Sequence, residues 1–177
     1  MMDTGFDLEI SRELFYNKIT VVSWEYNLFT DSFDVFLSGC KPPHCEGCFN
    51  SELWEFGKGV TAQLFTSHFR TRISLFKEFI NNISILGGEP LDNDIDDLVM
   101  LIKVLRTFSE PNVPDLKYWL YTRYLLFDIP KKVKDLFDYI KCGRFEINQT
   151  TEDNYQYGIK LASSNQNIYK RGVDFGF

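Results

Sequence analysis

No stretch of about 18 apolar residues, the minimum for a membrane-crossing helix, occurs in this chain. The opening residues, Met1-Met2-Asp3-Thr4-Gly5-Phe6-Asp7, have neither the basic start nor the apolar core of an export signal, so the expected location is the cytoplasm. A basic excess is missing as well. Nineteen Lys and Arg face 25 Asp and Glu, for a net charge of -6 and a pI near 5.0. A general nucleic-acid binder needs a cationic face to displace counterions from phosphates, so direct nucleic-acid binding is not expected and the partner is a protein or a small molecule. Neither a phosphate loop nor a GxGxxG turn after a strand is present, which removes the common nucleotide-binding signatures. Internal repeats, low-complexity tracts and linkers are absent too. With 177 residues, 44% of them hydrophobic and 17 of them Phe, one domain over residues 1–177 has enough apolar matter for its own core.

What the chain does have is a crowd of cysteines. Three of its four fall within nine residues, in Gly39-Cys40-Lys41-Pro42-Pro43-His44-Cys45-Glu46-Gly47-Cys48-Phe49-Asn50, and Cys142 stands far off. In a reducing compartment such a cluster reads as metal-binding or redox-active and not as disulfides. Two glycines and two consecutive prolines deny the loop regular structure and let its thiolates converge. A zinc site that holds a fold together closes with four protein ligands, whereas three thiolates on a four-iron cluster leave one iron open for a substrate. Spacing alone leaves both readings open, since His44 or Cys142 has the chemistry to complete a zinc tetrahedron. Against zinc stands the lack of a second CxxC or HxxxH pair elsewhere. Cys142 itself, in an apolar stretch, reads as a small buried hydrophobe, and His44, beside prolines, as an exposed side chain.

The surrounding pattern alternates strands and helices. Phe33-Asp34-Val35-Phe36-Leu37 reads as a strand that delivers the cysteine loop to its carboxyl end. Phe69, Ile73, Phe76, Phe79 and Ile80 follow helical spacing, and Ile83-Ser84-Ile85-Leu86 is a short strand stopped by Gly87-Gly88-Glu89-Pro90. Ile95, Leu98, Val99, Ile102 and Leu105 mark a helix face, with Asp92, Asp94, Asp96 and Asp97 expected as a solvated, dipole-complementing start. Lys117 to Thr122 reads as a strand, and Pro130 opens a helix whose Val133, Leu136, Phe137 and Ile140 face inward, with Tyr139 to Cys142 as a short strand overlapping its end. Residues 1–31 carry no clear pattern, residues 148–154 are polar and irregular, and Ser163-Ser164-Asn165-Gln166 reads as a polar loop. The alternation implies an α/β fold with a mainly parallel sheet and ligand groups gathered at the carboxyl ends of its strands. The paired glycines, Gly87 and Gly88, suit either an ordinary turn or a close approach of backbone to ligand.

Taken in order, Ser38-Gly39-Cys40, Cys45-Glu46-Gly47-Cys48-Phe49-Asn50, Trp54, Ile85-Leu86-Gly87-Gly88-Glu89-Pro90-Leu91, Tyr121-Thr122, Gly143-Arg144-Phe145-Glu146 and Ser163-Ser164-Asn165-Gln166 resemble the activating proteins of anaerobic ribonucleotide reductase. These are small radical S-adenosylmethionine enzymes, and the resemblance runs from about residue 33 to residue 170. It implies an incomplete β/α barrel of parallel strands. It further implies Cys40, Cys45 and Cys48 as ligands of a [4Fe-4S] cluster, S-adenosylmethionine on the fourth iron, Gly87, Gly88 and Glu89 along its methionine end, and Gly47, Cys48 and Phe49 near its adenosine. The implied reaction takes an electron from an external donor, cleaves the cofactor to methionine and a 5'-deoxyadenosyl radical, and removes hydrogen from a glycine of the reductase. The cofactor then carries the reactivity and no further catalytic side chain is implied.

The chain departs from that pattern in several places. Four residues, not three, separate Cys40 from Cys45, Arg123 stands where Gly is common, Cys142 replaces an Asp, and Leu161-Ala162 replace Arg-Gly. Cys142 as a fourth sulfur ligand, an activase of another glycyl-radical enzyme such as pyruvate formate-lyase, and a non-catalytic zinc-binding interaction module are the alternatives.

Overall fold

The computed structural model describes Leu14 and residues 16–177; residues 1–7, read above for an export signal, lie outside that range. Among the described residues no helix is long and apolar enough to cross a membrane. A hairpin of β1 (Thr20–Asn27) and β2 (Ser32–Leu37) is followed, after the cysteine loop, by β3 (Val60–Thr61) and α1 (Ala62–Phe76). Next come β4 (Asn82–Gly87), α2 (Ile95–Ser109), β5 (Lys117–Tyr121), a single helical turn α3 (Lys131–Lys134) and β6 (Tyr139–Cys142). A small hairpin of β7 (Tyr155–Gln156) and β8 (Ile159–Lys160) precedes β9 (Asn167–Lys170).

Among the described residues seven strands form one sheet in the order β3-β1-β2-β4-β5-β6-β9. The four central strands, β2, β4, β5 and β6, run parallel, while β1, β3 and β9 add antiparallel edges and the sheet does not close on itself. The mainly parallel α/β expectation therefore holds at the centre of an open sheet.

The two faces of the sheet differ in chemistry because successive strand residues point to opposite sides. Phe33, Val35 and Leu37, Ile83 and Ile85, Tyr118 and Leu120, and Ile140 and Cys142 all enter the main core. They meet Phe65, Phe69 and Ile73 of α1 and Leu98, Leu101, Ile102 and Leu105 of α2 there. Phe33 lies edge-on to Phe69, and the Tyr118 hydroxyl shares a 2.7 Å hydrogen bond with Ser109 under the Arg106 guanidinium. The alternate residues form a more polar second face of Asp34, Ser84, Tyr121 and Lys141. There Trp119, stacked on Tyr139 at 4.1 Å, makes a small second core with Leu161 and Ile168.

Three expectations change. The unpatterned segment before residue 31 contains β1, whose Trp24 packs against Phe65; the bulge between Val21 and Ser23 and the half-exposed setting blur its alternation. Helix α1 stops at Phe76, so Phe79 is exposed and Ile80 is buried from the connecting turn, not from a helix face. After Pro130 only one helical turn forms, because parallel pairing of Tyr139, Ile140 and Lys141 with β5 claims those residues for a strand; Ile140 is buried from β6.

The functional end of the sheet is built by very close backbone contact. Leu37 pairs with Gly87, which has φ +126°, and a side chain there would sit 2.3 Å from the Leu37 carbonyl oxygen. One residue on, a Cβ at Gly88 would lie 2.4 Å from the Gly39 oxygen and 2.7 Å from the Leu53 oxygen. Both obstacles are backbone and cannot swing aside. Gly88→Val is therefore expected to lower unfolding stability by about 3 kcal/mol or more, the upper end of overpacking costs, as read by urea denaturation. A midpoint equal to the parent's at the same m value would show that the turn has the room this geometry denies it.

Candidate functional site

The cysteine loop begins where β2 ends, laced between two other segments. The Gly39 and Cys40 N–H groups donate to the Leu53 and Trp54 carbonyls at 2.8 and 3.0 Å. From the other side, the Gly88 and Glu89 N–H groups donate to the Leu37 and Gly39 carbonyls at 3.0 and 2.7 Å. Satisfying these backbone groups at the strand ends leaves the loop's base little freedom.

Two buried carboxylates fasten what surrounds that base. Glu89, 1% exposed, accepts from the Leu91 N–H and the Thr122 hydroxyl on one oxygen and from the Arg123 N–H on the other, at 3.0, 2.7 and 2.7 Å. Burial pushes its carboxyl up to about 7, with the three donors pulling the other way. Asp92, 3% exposed, accepts from the Lys41 N–H at 2.6 Å, the Arg123 guanidinium at 2.8 Å and the Tyr124 hydroxyl at 2.7 Å. The expected solvated first turn of α2 thus loses Asp92, which is a buried hub, and keeps Asp94 as the N-cap, accepting from the Asp96 and Asp97 N–H groups.

Farther out along the loop, the Arg123 and Arg144 guanidiniums both donate to the Pro43 carbonyl, and Arg144 also donates to that of His44. His44 is not simply exposed. It stacks on Trp54 at 3.9 Å, and its Nε2 lies 2.9 Å from the Cys40 carbonyl oxygen.

Between the carboxyl ends of β4, β5 and β6 lies a cavity of about 190 Å³. Of the residues expected from sequence to hold the cluster or the cofactor, Cys45, Gly87, Gly88 and Glu89 line it. Cys40 is buried at the loop's base and Cys48 is half-buried; neither is part of that lining. Phe49 is exposed, tilted against Phe145 at 5.2 Å, and Gly47, with φ +70°, sits over Ile147, so these two stand at the rim. Among the described residues no three His, Cys, Asp or Glu side chains are gathered as a metal site. The three loop thiols share one loop without sharing one centre. Burial drives the Cys40 thiol up to about 11, moderated by the Arg123 charge, and the Cys142 thiol up to about 12, as suits a sulfur packed in the core.

The rest of the wall comes from residues that the sequence did not mark as cofactor ligands. Arg123, Lys141 and Gln166 line the cavity, as do Tyr121, Thr122 and Phe145. Gln166 is 3% exposed, accepts from the Ala162 and Ser163 N–H groups and donates to the Gly143 carbonyl, so the SSNQ segment is built into the structure and not a solvated loop. Lys141 is pulled down to about 8 by burial, against the field of Glu89. A lysine alternating with apolar residues in β6 was the one available sequence signal for it.

Two outcomes test these carboxylates. Removing one member of a buried ion pair typically costs about 3–5 kcal/mol, and Asp92→Ala, which strands Arg123 and the Lys41 N–H, is expected in that range by urea unfolding. For Glu89 the folded carboxyl titrates above its unfolded value, so its contribution is full below about 4.5 and is lost as pH rises through about 7. Glu89→Gln should be less stable at every pH because its amide faces a donor, yet should show a flatter fall in stability between pH 5 and 8. An equally steep fall in both proteins would assign the slope to other groups.

The family described as a 4Fe-4S single cluster domain matches residues 32–169. An anaerobic ribonucleoside-triphosphate reductase-activating protein of Haemophilus influenzae is 30% identical over 112 residues, covering 60% of this chain and 66% of that protein. A protein of the same description from Vibrio cholerae is 25% identical over 150 residues, covering 77% of this chain and 85% of that protein. No solved structure matches this chain. The match spans the strand that delivers the cysteines, the glycine-glycine turn, the cavity wall and β9, and on that extent the chain belongs to the 4Fe-4S single cluster domain family.

Proposed function

We propose that this chain activates an anaerobic ribonucleotide reductase by forming a glycyl radical on it. In this reading Cys40, Cys45 and Cys48 hold a [4Fe-4S] cluster, and the open sheet corresponds to the incomplete barrel of radical S-adenosylmethionine enzymes. The observation that carries the proposal is the placing of Cys45 in one cavity wall with Gly87, Gly88 and Glu89, in a chain of the 4Fe-4S family whose relatives bear the activating-protein name.

The donor set fits such a cluster. Three thiols and no fourth nearby sulfur leave an iron for an exogenous ligand, and Cys142 is committed to the core on the opposite face of β6. Lys41, Pro42, Pro43, Glu46 and Gly47 are exposed, and gathering the three sulfurs on one cluster would require the contacts of Arg123 and Arg144 with the Pro43 and His44 carbonyls to shift. Bound there and given an electron from an external donor, S-adenosylmethionine would supply the chemistry that takes a hydrogen atom from the reductase glycine. The chain's own residues bind and orient. Half-buried backbone at Gly87 and Gly88 lines the ligand's side of the cavity, Glu89 fixes the ends of β4 and β5 relative to each other, and Phe49 and Phe145 offer apolar cover at the rim. The mouth lies open at the carboxyl ends of the strands, as a protein substrate requires.

Protein purified without oxygen is expected to carry about four iron and four sulfide per chain, to lose them in Cys45→Ala and to keep them in Cys142→Ala. Mixed with a reductase, S-adenosylmethionine and a reductant, it should generate a glycyl-radical signal by electron paramagnetic resonance. Stoichiometric zinc without sulfide would favour an interaction module. A signal on pyruvate formate-lyase and none on the reductase would reassign the partner.

A further inference from the structure

Lys141 is a cation with an unusual setting. It lies on the polar face of β6, between Ile140 and Cys142, which both enter the main core, and its side chain lines the cavity together with Cys45, Gly87, Gly88 and Glu89. Its ammonium makes one hydrogen bond among the described residues, to the Gly143 carbonyl at 3.0 Å, and no carboxylate there lies within ion-pair reach. An ammonium has three donors, so two are left for the cavity. Glu89, the acid in the same wall, does not answer it, because both of its oxygens are engaged by Leu91, Thr122 and Arg123. Arg123, the other cation of the wall, is already paired with Asp92. Setting an ammonium in a partly buried wall without an anion is costly unless a ligand brings one.

We infer that Lys141 is a ligand-binding residue whose ammonium receives a carboxylate, the amino-acid carboxylate of the small molecule that enters this cavity. The inference rests on the functional reading above, which makes that molecule S-adenosylmethionine, and assigns its α-carboxylate to the wall formed by β6. A carboxylate fits better than a phosphate or sulfate because, among the described residues that line the cavity, Lys141 is the one cation without a carboxylate partner, Arg123 being paired with Asp92. The Gly143 carbonyl, in a residue with φ +103°, accepts from the Lys141 ammonium and holds it in the wall.

The test compares cluster-loaded wild type and Lys141→Met in equilibrium dialysis against S-adenosylmethionine and against its decarboxylated analogue. A hydrogen bond to a charged group corresponds to about 10- to 100-fold in affinity. Lys141→Met is expected to lose that factor for S-adenosylmethionine, to bind the decarboxylated analogue within about two-fold of wild type, and to retain its iron, sulfide and thermal midpoint. Lys141→Arg should recover part of the loss. Equal losses for both ligands, or no loss for either, would overturn the assignment, and so would loss of iron in Lys141→Met, which would place the ammonium against the cluster's charge. Failure of cluster-loaded wild type to bind S-adenosylmethionine at all would instead strike down the functional reading together with this inference.

Discussion

The structure depends on the approach of β4's end to the base of the cysteine loop. Four backbone hydrogen bonds tie Leu37, Gly39 and Cys40 to Gly88, Glu89, Leu53 and Trp54, at separations that leave no space for a Cβ at position 87 or 88. Parallel pairing of β2 with β4 brings the two turns to the same edge of the sheet, and the absence of side chains lets them touch. The glycines thus serve the protein's contact with itself first. Their opposite, open side is what lines the cavity.

Around this contact the two buried acids do complementary things. Glu89 gathers donors from the end of β5, and Asp92 reaches back to Lys41 and across to Arg123 and Tyr124, so the cysteine loop and the loop after β5 are fastened to the same short turn. Fully donor-satisfied carboxylates in a dry setting specify one arrangement, because any other leaves a buried charge without partners. The arrangement they specify puts one half-buried thiol, a glycine backbone and an unpaired ammonium around one cavity. Arg123 and Arg144 extend the fastening to the Pro43 and His44 carbonyls, within the four-residue spacing between Cys40 and Cys45.

Much of this was legible in the residues. Alternation over Phe33 to Leu37 and the apolar run Ile83 to Leu86 marked the two strands that carry the site, and the helix at Ile95 to Leu105 followed its period. Harder cases failed for identifiable reasons. Phe79 and Ile80 continued a helical spacing past the helix end, since a period says nothing about where a turn reverses the chain. Ile140 fitted a helix and a strand equally, and the hydrogen-bonding edge of β5 decided it. Asp92 looked like one of four surface acids, and only the return of Lys41, Arg123 and Tyr124 to its side distinguishes it from Asp94.

By itself the sequence determined the donor chemistry, three thiols on an irregular loop after one strand and two glycines after the next, because these depend on residue type and local period alone. It also determined the mainly parallel order of the central strands, through the alternation of apolar runs with helical faces. Tertiary structure decided which of those residues share a wall. Cys45 joins Gly87, Gly88 and Glu89 there, while Gly47 and Phe49 stand at the rim and Cys142 belongs to the core. Lys141 and Gln166 became site residues only when β6 and β9 paired, because the facing of a side chain depends on which strand lies beside its own, and that pairing joins residues far apart in the chain.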